Sequence, residues 1–175
     1  MPRYVAFLRG VMPTNAKMPE LKRAFEGAGF SDVRTVLGSG NVVFSARATS
    51  ESAIVRRAEA GMMEHLGRAF YTIVRPQVDL QALIDAAPFA PFDVPANAKR
   101  IVTFLRETHS RRLSFPIEAD GARILASTGR EVLTVYLPNP RGPSFMTLLE
   151  KTFGKDVTTR TWDTVKKCVA ASEKA

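Results

Sequence analysis

Apolar positions along this chain recur with two different periods, and their order predicts an α+β protein. In Tyr4-Val-Ala-Phe-Leu8 both alternating sets are apolar, the pattern of a central strand buried on two faces, expected to run from Arg3 to Val11. Pro13 and Asn15 break it. Met18, Leu21, Phe25 and Ala28 then repeat at helical spacing, with Pro19 suited to a first turn, Glu20 complementing the helix dipole and Gly29 closing the segment. Lys22 and Arg23 fall on the outer face. Residues 33–37 and 41–45 read as strands joined through Gly38-Ser39-Gly40, whose glycines permit the backbone angles of a tight hairpin. Ser50 is placed to cap a helix carrying Val55, Ala58, Met62 and Leu66 on one stripe, and residues 70–74 supply another strand. The predicted order is β-α-β-β-α-β, which lets two helices cover one face of a four-stranded antiparallel sheet, the ferredoxin-like arrangement.

A shorter helix with Leu80, Leu83 and Ile84, capped by Asp79, leads to Pro88-Phe-Ala-Pro-Phe-Asp-Val-Pro95, a proline-rich stretch that reads as a boundary. Beyond it the pattern restarts. Strands are expected at 100–106, 123–127, 132–137 and 158–161, with a hairpin about Thr128-Gly129-Arg130 and a helix over 145–153. Tyr4-Val-Ala-Phe-Leu-Arg9 resembles Ile101-Val-Thr-Phe-Leu-Arg106, so the second stretch reads as a repeat of the first. Residues 107–121 contain Pro116 and no helical stripe, which makes the repeat degenerate. A last helix begins near Trp162, with Thr161 as cap and Val165 and Val169 inward. The expected organisation is two ferredoxin-like β-α-β-β-α-β units, residues 1–90 and 99–175, the second degenerate and ending in the C-terminal helix.

Composition narrows the function classes. The chain has 175 residues, 45% of them hydrophobic, enough for a sizeable core, yet no run approaches the roughly 18 apolar residues of a membrane span. With no signal-peptide-like apolar region at the start, a cytoplasmic location and no membrane partner are expected. The single cysteine, Cys168, excludes an intrachain disulfide and a multi-cysteine metal site, and beside Val169 it reads as a buried thiol. No metal or cofactor signature is present, and oligomeric state is left open. The net charge of +8 is uneven: residues 1–98 hold 11 Lys/Arg and 9 Asp/Glu, residues 99–175 hold 14 and 8. A positive second half draws in anions, so a phosphate-bearing ligand or nucleic acid is the expected partner, the alternative being a solvated surface.

Three segments carry a family resemblance: Tyr4-Val-Ala-Phe-Leu-Arg-Gly-Val11; Met18-Pro-Glu-Leu-Lys22 through Gly29-Phe-Ser-Asp-Val-Arg-Thr35 to Gly38-Ser-Gly-Asn-Val-Val-Phe44; and Thr158-Thr-Arg-Thr-Trp-Asp-Thr-Val165. In order and spacing the chain resembles the domain-of-unknown-function 1697 family. That resemblance implies two ferredoxin-like units and brings no established activity. One departure stands out. Where the family often has a glycine-rich stretch after the first strand, this chain reads Val11-Met-Pro-Thr-Asn-Ala-Lys17, and Pro13 lacks the N–H an anion cradle uses. Lys17 can supply a point charge there or simply be solvated.

Arg9, Asn15, Ser39, Asn41, Arg160 and Trp162 are the candidate ligand-binding residues, because strand ends and turns present side chains on a rigid frame. Arg9 and Arg160 offer planar donor pairs for a carboxylate or phosphate, and Trp162 a ring to stack on a base. Each has a structural alternative: Asn41 supporting its hairpin, Arg9 bonding carbonyls, Trp162 filling a core. His65 and His109 offer imidazoles for acid–base work, but neither belongs to a metal or triad motif. Glu118 and Asp120 are close in sequence without marking a site. Gly40-Asn-Val-Val-Phe-Ser45 is faintly similar to an RNA-binding strand motif, with Phe44 as its one aromatic in place of the expected set, and the favoured alternative is that Phe7 and Phe44 are buried where the two sheets meet. The readings left open are an anion-binding module, a small-molecule enzyme with a site between the two domains, and a protein-interaction or oligomerisation module; whether it is an enzyme is undecided.

Overall fold

The computed structural model describes residues 1–109, 112–119, 121–138 and 144–173. Among them the chain forms a mixed α/β structure with two sheets and five helices. It divides into two compact units, Met1–Asp85 with Lys166–Ala175, and Ala86–Val165.

The first unit runs β1 (Arg3–Leu8), α1 (Met18–Gly27), β2 (Ser31–Val36), β3 (Asn41–Ser45), α2 (Glu51–Leu66), β4 (Thr72–Pro76) and α3 (Gln77–Asp85). Its strands lie in the order β2-β3-β1-β4, all antiparallel, so the doubly apolar β1 is central as its pattern requires. Tyr4, Ala6 and Leu8 meet Val42 and Phe44 on one face, beneath Leu21, Ala24 and Phe25 of α1 and Ile54, Ala58 and Met62 of α2. Phe44 lies 4.5 Å from Phe30 and 5.5 Å from Phe25, ring centre to ring centre. The opposite face, with Val5, Phe7, Val43 and Ile73, is buried as well, and α3 packs on β1 and β4.

Local chemistry sets the helix limits. Ser50 Oγ accepts the Ala53 N–H at 3.2 Å, and Gly67 at φ 74° ends α2 in the left-handed conformation that glycine favours. α1 has no side-chain cap; a proline sits in its first turn instead. Asp79 does not cap α3. The helix starts two residues earlier, at Gln77, and the Asp79 carboxylate lies in its first turn, where it complements the dipole.

The second unit contains β5 (Lys99–Leu105), β6 (Ile117–Ala119), β7 (Ala122–Ser127), β8 (Glu131–Tyr136), α4 (Ser144–Phe153), β9 (Val157–Thr161) and the start of α5 (Trp162–Ser172). Its sheet order is β6-β7-β8-β5-β9. Phe145, Leu148 and Leu149 of α4 cover Ile101, Leu105, Ile124 and Val132. β6 has no counterpart in the sequence reading, because three residues beside a proline carry no measurable period. Thr161 caps α5, accepting the Thr164 N–H at 3.2 Å, and Cys168 on that helix is fully buried.

Candidate functional site

Arg9 leaves the end of β1 half-buried between two neighbouring turns. The Leu8 N–H donates to the Gly40 carbonyl at 2.9 Å, and the Arg9 N–H to the Tyr71 carbonyl at 2.9 Å. The β2–β3 hairpin therefore stands on one side of Arg9 and the start of β4 on the other. The loop that follows is fixed by Asn15, whose Oδ1 accepts the Met12 N–H at 2.8 Å while Nδ2 donates to the Gly10 carbonyl at 2.9 Å. This closes the loop on itself and occupies an amide an anion would otherwise approach.

Asn41 fixes the hairpin in the same manner. Fully buried, it donates through Nδ2 to the Val36 carbonyl at 2.9 Å and to Ser39 Oγ at 3.1 Å. The turn it spans holds Leu37 at φ 60°, a conformation costly for a branched residue. Gly40 stands at φ 87°, with Val11 Cγ2 only 2.9 Å from where a β-carbon would lie, so the loop after β1 packs directly on the hairpin. Arg9, Asn15, Ser39 and Asn41 thus share one end of the first sheet, Asn15 and Asn41 as the internal supports of its turns. Lys17 is exposed where this loop enters α1.

Arg160 and Trp162 belong to the second unit. Arg160 lies half-buried on β9 and donates from Nη1 to Thr158 Oγ1 and to the Thr159 carbonyl, both at 2.7 Å, which holds the guanidinium along its own strand. Trp162 is buried at the first turn of α5, its ring edge-on to Phe89 with centroids 5.5 Å apart. In this structure the ring packs; it is not presented for stacking on a base.

Other side chains take roles the sequence left unmarked. Arg3 donates to the Ser172 carbonyl at 2.9 Å, the Asp32 carbonyl at 3.0 Å and Ser45 Oγ at 3.0 Å, tying the end of α5 to the first sheet. Burial pulls its pKa below the usual arginine range, Asp32 opposing the shift and Arg34 adding to it. Arg75 is 2% exposed and 3.7 Å from Glu51. His109 Nε2 lies 2.8 Å from Ser127 Oγ, which also accepts the Gly129 N–H at 3.1 Å, while His65 is exposed on α2. Glu118 pairs with Arg123; its sequence neighbour Asp120 lies outside the described residues. None of these could be found from periodicity, because a buried arginine and a surface one look alike in sequence. Phe44 and Phe7 are both fully buried, Phe44 under the helices, so the similarity to an RNA-binding strand does not extend to an exposed aromatic.

Among the described residues no helix is long and apolar enough to cross a membrane, and no three His, Cys, Asp or Glu side chains are grouped as a metal site would need.

Comparison with known proteins returns a family without an activity. The family described as "Protein of unknown function (DUF1697)" matches residues 1–132. This chain belongs to that family. No curated protein matches it. Among solved structures it is similar to one described as a conserved bacterial protein, SP0830, from Streptococcus pneumoniae, with 18% identity, a TM-score of 0.68 and 99% of each chain covered. That likeness establishes the fold.

Proposed function

We propose that this DUF1697 member is an anion-binding module whose ligand phosphate, on a nucleotide or a nucleic-acid strand, is met by Arg9 at the end of the first sheet. One observation carries the reading: Arg9 stands beside the hairpin that Asn41 locks from inside and opens the loop that Asn15 locks in the same way. Binding residues need such second supports, since a guanidinium on a loose loop loses its orientation. Ser39 and Lys17, both exposed on these turns, add a hydroxyl and a cation. Charge supports the placement. The first unit holds 14 Lys/Arg against 9 Asp/Glu, net +5, and the second 11 against 8, net +3. A phosphate ligand needs no open sheet, which matters because the three aromatics of the first sheet, Tyr4, Phe7 and Phe44, are all buried.

The test pairs two probes at two salt concentrations: anisotropy of a labelled oligonucleotide, and the thermal shift given by a nucleoside triphosphate. Binding at low salt should weaken steeply as salt rises. Arg9→Gln should weaken it about tenfold, the scale of one charge-assisted hydrogen-bond set. Absence of binding by either probe at low salt, or an unchanged Arg9→Gln, would overturn the proposal.

The two units are also read as a degenerate duplication of one ferredoxin-like β-α-β-β-α-β unit. Supporting this, the order β2-β3-β1-β4 has a parallel in β7-β8-β5-β9. The bond from the Leu8 N–H to Gly40 has its match in Leu105 N–H to Arg130, at 2.9 and 2.8 Å, at corresponding positions of the two similar strands. Where the first unit has α1, the second has the edge strand β6.

A further inference from the structure

The second unit contains a cleft of about 460 Å³, within the roughly 300–1,000 Å³ typical of small-molecule sites. Its walls come from Pro95 ahead of β5, the β6–β7 hairpin, and Val135, Tyr136 and Leu137 at the end of β8. The space exists because the hairpin is built from small residues: Ala119 and Gly121 reach no further than a methyl group, and Ala122 turns its methyl into the core under α4. Gly121 turns at φ 84°, and the Leu137 N–H donates to its carbonyl at 3.1 Å, which fixes the hairpin to the neighbouring strand end. Tyr136 is held by stacking on Phe145, centroids 4.4 Å apart. Leu137 stays 41% exposed, an apolar surface in the wall of an open cleft.

One ion pair lies in this otherwise apolar lining. Glu118, Arg123 and Val135 stand opposite one another across β6, β7 and β8. Arg123 Nε is 3.3 Å from Glu118 Oε1, an ion-pair distance, but the two are not aligned as a hydrogen bond and the Nε atom is shielded from solvent. The side chains are 39% and 61% exposed, so the pair is weak and screened by water. A ligand carboxylate can therefore replace Glu118 on the guanidinium at little cost. Among the described lining residues Arg123 is the only cation, with Glu118 beside it. A polyphosphate would bring several negative charges against that carboxylate, a single carboxylate on an apolar body only one.

We infer that this cleft is a binding site for a small monocarboxylate with an apolar body, its carboxylate on Arg123 and its body against Val135 and Leu137, which share the Arg123 face of the sheet. The site is separate from the Arg9 site and does not rest on it.

The experiment is calorimetric titration of the full chain with 2-naphthoate and with its neutral counterpart 2-naphthamide. Naphthoate should bind saturably and at least about tenfold more tightly than the amide, as a charge-assisted contact requires. Arg123→Gln should abolish that preference, and Glu118→Gln should tighten naphthoate by removing its competitor. Leu137→Ser, at an exposed position on the Arg123 face, should weaken both ligands by removing the apolar wall; circular dichroism checks that it folds, and if it does not, the two charge variants still decide. The oligonucleotide and nucleotide probes read Arg9 and the naphthoate preference reads Arg123, so failure here is distinct from failure of the phosphate reading. Equal affinity for acid and amide, no saturable binding, or an Arg123→Gln that keeps the preference overturns the assignment.

Discussion

Replacing Asn41 by alanine should cost this protein about 2–3 kcal/mol. The side chain is fully buried and donates to the Val36 carbonyl at 2.9 Å and to Ser39 Oγ at 3.1 Å. Each lost bond removes about 0.5–1.5 kcal/mol, and the Val36 carbonyl loses the partner that spans the turn. A small void where the amide stood adds to the loss. Ser39→Ala is the control. Ser39 is exposed, so water replaces its hydroxyl and the expected cost stays below about 0.5 kcal/mol. Urea denaturation with both variants measures the difference, read from midpoints provided the slopes agree. If Asn41→Ala falls within about 0.5 kcal/mol of wild type, or Ser39→Ala costs as much, the hairpin is not held by this side chain. The inference that a rigid rim frames Arg9 would then lose its basis.

Two further substitutions test the frame behind that site. Gly61→Ala should destabilise by about 1–2 kcal/mol despite a helix-propensity gain of about 1 kcal/mol, because the new β-carbon would stand 2.8 Å from both the Ala24 carbonyl oxygen and the Ala28 methyl; a raised melting temperature would refute so close an approach of α1 and α2. Glu51→Ala should cost more than Arg75→Met, about 1–3 against less than about 1 kcal/mol, since it removes a carboxylate 3.7 Å from a cation that is 2% exposed, whereas Glu51 at 31% can turn to solvent; the reverse order in chemical denaturation would refute it.

Much of the fold was legible because its signals are local. The period of β1, the cap at Ser50, the glycines about Ser39 and the stripe of α2 each depend on a few neighbouring residues, and each element forms within a few positions of its expected place. Errors arose where an element was too short to show a period, as with β6, or where two residues could start a helix, as with Gln77 and Asp79. The candidate site was legible in part for the same reason. Asn15 and Asn41 sit in recognisable turns, yet their bonds to Gly10 and Val36 are backbone contacts whose direction no residue pattern specifies. The cleft left still less trace, since Ala119, Gly121 and Ala122 are conspicuous only for what they lack and Arg123 reads as any surface arginine.

Charge shows why position in sequence misled. Divided between residues 98 and 99, the chain has its positive excess in the second half, +6 of +8, which directs attention to the C-terminal stretch as the anion-binding part. The structure redraws that division, because Lys166–Ala175 belongs with residues 1–85 and brings three lysines with it. The excess then becomes +5 on the first unit and +3 on the second. Potential at a surface follows charges that are near in space, falling off over about 8–10 Å at ordinary salt. A sum along the chain is informative only when the chain folds in the order it is counted. For a protein whose last helix returns to the first unit it does not, and the C-terminal excess then marks no anion site of its own, which leaves the locked turns beside Arg9 as the feature that favours one.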